Sequence, residues 1–135
     1  MRVIVVGGGN TAIDCARSAL RLGADVTVLY RRTPREMPAI PLEVREARDE
    51  GVEFEFLAAP LSVELEEGVF SGINCQRMEL GEPDESGRRR PVPIEGDEFF
   101  VQADTVLTAI GEDCDLSFLP EDVRTRWGLI EVDAL

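Results

Sequence analysis

The stretch Val3-Ile4-Val5-Val6-Gly7-Gly8-Gly9-Asn10-Thr11-Ala12 most limits what this chain can fold into. Four β-branched residues make a buried strand, and three glycines end it. A helical pattern begins at once: Ala12, Cys15, Ala16, Ala19 and Leu20 fall on one face between Thr11 and Leu22. Asn10 is the expected N-cap, Asp14 complements the dipole near the helix start, and Gly23 closes the helix. Strand, glycine turn and helix in this order fit G-x-G-x-x-A, with Gly7, Gly9 and Ala12 at the key places. The pattern is that of a dinucleotide-binding loop. Gly7 permits a tight turn, Gly9 lets backbone approach a pyrophosphate, and Ala12 lets helix and strand pack closely. Gly8, Asn10 and Thr11 complete the loop, and the helix N-terminus offers N–H groups and partial positive charge to phosphates.

The next strand tells which dinucleotide. Asp25-Val26-Thr27-Val28-Leu29-Tyr30 is rich in β-formers and follows a helix of crossover length, so the two strands are expected to be parallel. A fold that binds NAD or FAD usually places an acid at the C-terminal end of this strand to accept from a ribose hydroxyl. Here the residues are Arg31 and Arg32. Asp25, the acid nearby, lies at the opposite end, about 16 Å away at the rise of a strand. Two guanidiniums suit the adenosine 2′-phosphate, so NADP(H) is expected rather than NAD(H).

Charge and composition narrow the chemistry. In 135 residues, 14 basic against 27 acidic side chains leave a net charge of −13, which argues against a nucleic-acid partner. Every basic residue is Arg. With no His and no Lys, His-based triads, His metal ligands, Schiff-base lysines and a P-loop lysine are excluded. Cys15, Cys75 and Cys114 form no C-x-x-C pair and suit a reducing compartment as small, largely buried side chains. The apolar run Val3 to Val6 is far too short to span a membrane, so a cytoplasmic protein is expected.

Beyond Arg32, Thr33 to Pro41 reads as an irregular loop, Pro41 to Arg48 as a short helix closed by Gly51, and Val52 to Phe56 as a third strand. The rhythm then changes. Leu61 to Glu66 and Val69 to Leu80 form a hairpin across Glu67-Gly68, Gly81 to Gly96 reads as a loop with Arg88-Arg89-Arg90 at its solvated tip, and Glu98 to Gln102 completes an antiparallel meander. Asp104 to Gly111 returns to buried-strand composition and ends where a glycine lets backbone approach a flat ligand. Ile130 to Leu135 reads as a further strand. The sum is a single α/β domain over 1–135: a Rossmann-like three-layer nucleotide-binding fold with a central parallel sheet and a three-stranded meander inserted at 61–103.

Gly-Gly-Gly-Asn-Thr-Ala-Ile-Asp at 7–14, Tyr-Arg-Arg at 30–32, Glu-Met-Pro-Ala at 36–39, the segment Leu80 to Arg88 and Ala109-Ile110-Gly111 together resemble the pyridine-nucleotide domain of the glutamate synthase small subunit. The matching domains of dihydropyrimidine dehydrogenase and of electron-bifurcating ferredoxin:NADP oxidoreductases are similar. The resemblance spans essentially the whole chain. It implies that Gly7 to Ala12 hold the pyrophosphate and that Arg31 and Arg32 hold the 2′-phosphate. It further implies that Glu36 lies by the cofactor cleft and that Ala109, Ile110 and Gly111 lie near nicotinamide and flavin. The implied chemistry is hydride transfer from NADPH to FAD, with electrons passed to iron–sulfur clusters; it rests on stacking and orientation, so a chain without His can perform it.

Members of that family also carry an earlier glycine fingerprint for FAD, cysteine clusters ahead of it and a late glycine-aspartate segment. Their absence leads us to expect a fragment that lacks the flanking FAD-binding domain, and an isolated chain that binds NADP(H) without turnover. The alternative from another class is a stand-alone module that senses NADP(H) without catalysis. An FAD-binding domain proper and a methyltransferase-type fold are disfavoured by Arg31 where an acid belongs. The thioredoxin-reductase branch is disfavoured by the lack of C-x-x-C.

Overall fold

The computed structural model describes residues 1–120, 122–126 and 128–132. Strand β1 (Arg2–Val6) runs through the glycine turn into helix α1 (Asn10–Arg21), which returns the chain to β2 (Asp25–Tyr30). A single 3-10 turn (Pro34–Glu36) and helix α2 (Pro41–Glu50) lead to β3 (Glu53–Phe56). The meander follows as β4 (Ala58–Glu66), β5 (Val69–Pro83) and β6 (Arg89–Gln102), and β7 (Thr105–Thr108) rejoins the first sheet. A short ribbon of β8 (Thr125–Arg126) and β9 (Leu129–Ile130) ends the described chain. Of the strand expected over 130–135, Ile130 is the last residue of β9, residues 131 and 132 are irregular, and 133–135 lie outside the described residues.

The first sheet is parallel throughout, in the order β3-β2-β1-β7. Alternation along β1 explains the three layers. Val3 and Val5 face the core shared with Ile13, Ala16 and Ala47 of the helices, whereas Ile4 and Val6 face a second core with Ile73, Cys75 and Ala103 of the meander. A strand buried on both faces reads as an unbroken apolar run. Burial also pushes the Cys75 thiol up to about 11, which suits an inert packing residue.

The helix boundaries follow local chemistry, with two differences. The N-cap of α1 is Gly9 rather than Asn10, and Asp14 sits past the first turn, which contains no acid. Glycine 51, at φ 111°, caps α2 in the left-handed conformation and allows the chain to reverse into β3. The two helices are tied by Glu50, which accepts from Arg17 (Nη2, 2.6 Å) and Arg21 (Nη2, 2.8 Å). These bonds, Arg17's first, hold the Glu50 carboxyl down at about 2, against 4.5 for an ordinary glutamate. A depressed carboxyl stabilises the fold fully above its unfolded pKa, and the contribution is lost as pH falls through the folded one. The midpoint difference between the native chain and Glu50→Gln in thermal melts is therefore expected to be constant above pH 5 and to vanish between pH 4.5 and 2.

The meander is longer than the sequence suggests. Residues 81–83 extend β5 and 89–96 begin β6, so the loop expected over Gly81 to Gly96 shrinks to residues 84–88. Pro91 and Pro93 sit opposite Leu80 and Met78 in the ladder. β6 is the edge of the sheet order β4-β5-β6, and an edge strand tolerates residues without a donor. Irregularities between Gln76/Met78 and Leu80/Pro83 absorb the rest, and the Gln76 amide donates to the carbonyls of Ile94 (2.5 Å) and Asp97 (2.9 Å) within β6.

Candidate functional site at the carboxyl edge of the parallel sheet

Because β2, β1 and β7 are parallel neighbours, their C-terminal ends lie along one edge. That edge gathers the glycine loop after β1, Arg31 and Arg32 after β2, and Ala109 to Gly111 after β7. The chain moves from β1 outward to β2 and β3 and later returns on the other side as β7. A topological switch point of this kind leaves a crevice at the strand ends, where ligands of such sheets bind.

The three loop glycines have different reasons for being glycine. Gly7 has φ +147°, and a Cβ there would stand 2.3 Å from the Ala109 carbonyl oxygen. Its N–H donates to Leu29 O at 3.1 Å, while Ala109 N donates to Val6 O at 2.8 Å, so the turn is held from both neighbouring strands. A Cβ on Gly8 would lie 2.4 Å from the Tyr30 ring. That ring is fixed by its hydroxyl, which donates to Glu36 O at 2.8 Å, and Gly8 O accepts from Ala39 N at 3.1 Å. Gly9 differs: its φ of −90° and ψ of 177° suit any residue, and a Cβ there would meet nothing within 4 Å. Nothing in the described protein requires glycine at 9. The open space sits directly before α1, whose N-cap provides no side-chain hydrogen bond and whose first turn holds no carboxylate. Unscreened N–H groups beside a Cβ-free backbone fit a phosphate.

Asn10 turns away from capping and accepts from Ile40 N through Oδ1 at 2.9 Å, which fixes the start of α2 against the loop. Thr11 is exposed and Ala12 fully buried, its small side chain admitting the close approach of helix and sheet. Ala109 is half-buried above Gly7, whereas Ile110 is 75% exposed and Gly111 has φ +104° in the open.

Arg31 and Arg32 part company at the end of β2. Arg31 is exposed. Arg32 is 5% exposed and reaches across to the β5–β6 hairpin, where Nε donates to Arg89 O (2.8 Å) and Nη2 to Asp84 Oδ2 (2.9 Å). Glu36 lies on the 3-10 turn beside this edge with its carboxylate turned back on Thr33, accepting from Oγ1 (2.5 Å) and N (3.1 Å). This capping box, the Thr33 hydroxyl first, keeps the Glu36 carboxyl below the usual range. The spacing Thr33-x-x-Glu36 signals it in the sequence. Tyr30 and Asp84 fall within the quoted motifs but carry no role there; the turn residues Pro83-Asp84 are visible locally, but the contact of Asp84 with Arg32 is not. A cleft of about 420 Å³ between the 3-10 turn and α2 is lined by residues such as Arg35, Met37, Val44 and Arg48, and by none of the expected cofactor residues.

Comparison with known proteins places this geometry. The family described as pyridine nucleotide-disulphide oxidoreductase matches residues 1–135. The chain is 54% identical over 134 residues to the NADPH-Fe(3+) oxidoreductase subunit beta of Geobacter sulfurreducens, covering 96% of this chain and 20% of that protein. It is 49% identical over 112 residues to the glutamate synthase [NADPH] small chain of Escherichia coli, covering 82% and 24%. The chain thus spans about a fifth to a quarter of these relatives. The fold is shared with Mycobacterium tuberculosis FprA in complex with NADPH, at a TM-score of 0.72 and 22% identity, over 90% of this chain and 41% of that one.

Proposed function

The chain belongs to the pyridine nucleotide-disulphide oxidoreductase family, and from that membership we propose that it is the NADPH-binding domain of a flavin-dependent oxidoreductase. The observation that carries this reading is Gly9, a glycine that its own fold does not need, at an uncapped helix N-terminus on the switch-point edge. In this reading, Gly7 to Ala12 hold the pyrophosphate, with Gly7 and Gly8 shaping the turn and Gly9 yielding the space. Arg31 and Arg32 provide the charge for the 2′-phosphate, Arg31 from the exposed side and Arg32 from behind. Ala109, Ile110 and Gly111 border the nicotinamide end, and the apolar Ile110 side chain excludes water there. Glu36 supports the cleft wall by holding Thr33. NADPH supplies a hydride, and FAD carries the electrons onward to iron–sulfur centres in an FAD-binding domain and an iron–sulfur domain or subunit of the longer protein. The names of the relatives, one an NADPH-Fe(3+) oxidoreductase subunit and one a glutamate synthase [NADPH] small chain, favour this over a module that only senses NADP(H).

The experiment is an affinity measurement. Arg31→Ala is expected to lower NADPH affinity at least tenfold, or about 1.4 kcal/mol, and to leave NADH affinity within twofold, by fluorescence titration. Arg32→Ala is expected to lower NADPH affinity as well, and to lower the melting temperature more than Arg31→Ala does because its guanidinium is buried. If neither change reduces NADPH affinity, the 2′-phosphate assignment is wrong. The isolated chain with NADPH and an artificial acceptor is expected to show no flavin-dependent reduction.

A further inference from the structure

We infer that Asp84, at the tip of the β5–β6 hairpin, is a positioning residue for cofactor specificity: it anchors Arg32 and so fixes how Arg31 is presented to the 2′-phosphate. The inference rests on the assignment of the β2 edge to NADPH and concerns a residue 52 positions further along the chain.

Both oxygens of Asp84 have a task. Oδ1 accepts from Ser86 N (2.9 Å), Ser86 Oγ (2.5 Å) and Arg88 N (3.2 Å), which folds the tip into a rigid turn. Asp84 N further donates to Arg88 O at 2.7 Å. Oδ2 is left to face Arg32 Nη2 at 2.9 Å. The turn therefore presents one carboxylate oxygen on a fixed frame, and the Ser86 hydroxyl above all lowers the pKa of that carboxyl from the usual range.

Arg32 is held at three points: by Asp84, by the Arg89 carbonyl, and through its own carbonyl, which accepts from Leu57 N at 3.1 Å. Leu57 adopts φ +54° at the junction where the chain leaves the parallel sheet for the meander. Tyr30 on one side is fixed by Glu36, and Thr33 on the other by the capping box. Arg31 is thus an exposed side chain on a backbone fixed before and after it. A guanidinium that recognises a phosphate bidentately loses affinity when its backbone wanders, because the two N–H groups must meet two oxygens together. The meander then serves the cofactor edge as a brace, and its tip governs the 2′-phosphate and nothing else in the cofactor.

The test uses 2′,5′-ADP (adenosine 2′,5′-bisphosphate) and 5′-AMP on the full chain, since the pair differs only in the 2′-phosphate. Asp84→Asn keeps an acceptor for Ser86 and Arg88 and removes the charge facing Arg32. It is expected to lower 2′,5′-ADP affinity about tenfold and to leave 5′-AMP affinity within twofold, with partial recovery in Asp84→Glu. A native chain that binds the two nucleotides equally refutes the NADPH assignment itself. A native chain that prefers 2′,5′-ADP, with Asp84→Asn weakening both nucleotides equally or neither, refutes the brace alone. Stronger 2′,5′-ADP binding by Asp84→Asn also refutes it, since Asp84 would then be withholding Arg32 from the phosphate.

Discussion

Gly9→Ala is expected to weaken NADPH binding on the order of 10- to 100-fold while the fold stays intact. The backbone at Gly9, φ −90° and ψ 177°, is open to alanine, and the added methyl group meets no protein atom within 4 Å. Stability should change by no more than about 1 kcal/mol, because the less flexible unfolded chain is offset by alanine's poorer fit at an N-cap. The methyl group enters the space that the reading above gives to the pyrophosphate. Displacing phosphate oxygens by a methyl diameter from the N–H groups of α1 breaks charge-assisted hydrogen bonds, each contributing about 1.5–3 kcal/mol. Losing one of them corresponds to a fall in NADPH affinity on the order of 10- to 100-fold. Titration of NADPH alongside thermal melting separates the two effects. Unchanged affinity would show that the phosphates lie elsewhere.

Gly7→Ala has the opposite signature. At φ +147° alanine is strained, and its Cβ would press on the Ala109 carbonyl, which is part of the backbone and tied to Val6. Relief requires β7, the outer strand of the order β3-β2-β1-β7, to separate from β1. Backbone strain and overpacking each cost roughly 1–3 kcal/mol, so a loss of about 3 kcal/mol or more is expected, read as a lower midpoint in denaturant. Binding then fails because the edge is lost. The two variants distinguish a glycine required by the fold from one required by a ligand, although both belong to the same motif.

The motif already gave Gly7 to the turn and Gly9 to the pyrophosphate; what the sequence left open is what each glycine meets, the Ala109 carbonyl at Gly7, the Tyr30 ring at Gly8 and open space at Gly9. The motif gave the strand, turn and helix because these are local, and the apolar run at Val3 to Val6 gave a strand buried on both faces. The meander's existence was legible from the alternation at Leu61 to Glu66, but not its length. Pro91, Pro93 and Gly96 argue for a loop by local rules, and only the position of β6 at a sheet edge makes them tolerable. Asn10 looked like a helix cap because its type favours caps, yet the contest was decided by Ile40, thirty residues away, whose N–H it accepts.

Arg31 and Arg32 make the same point in electrostatics. As neighbours they read as one pair of charges, and strand geometry sends them to different places. One meets solvent at the carboxyl edge, and the other is buried against Asp84 and the Arg89 carbonyl. Long-range partners of this kind leave no periodic trace in a single sequence. The capping box of Thr33 and Glu36 did leave one, and it explains why the Glu36 carboxylate is engaged locally.

In the proposed reading, this edge recognises the 2′-phosphate of NADPH. This recognition is tested most directly by parallel titrations of the unmodified chain with NADPH and NADH at fixed ionic strength. NADPH is expected to bind at least tenfold more tightly, a preference that shrinks as salt is raised because it rests on charge. Equal affinity for the two dinucleotides would contradict it.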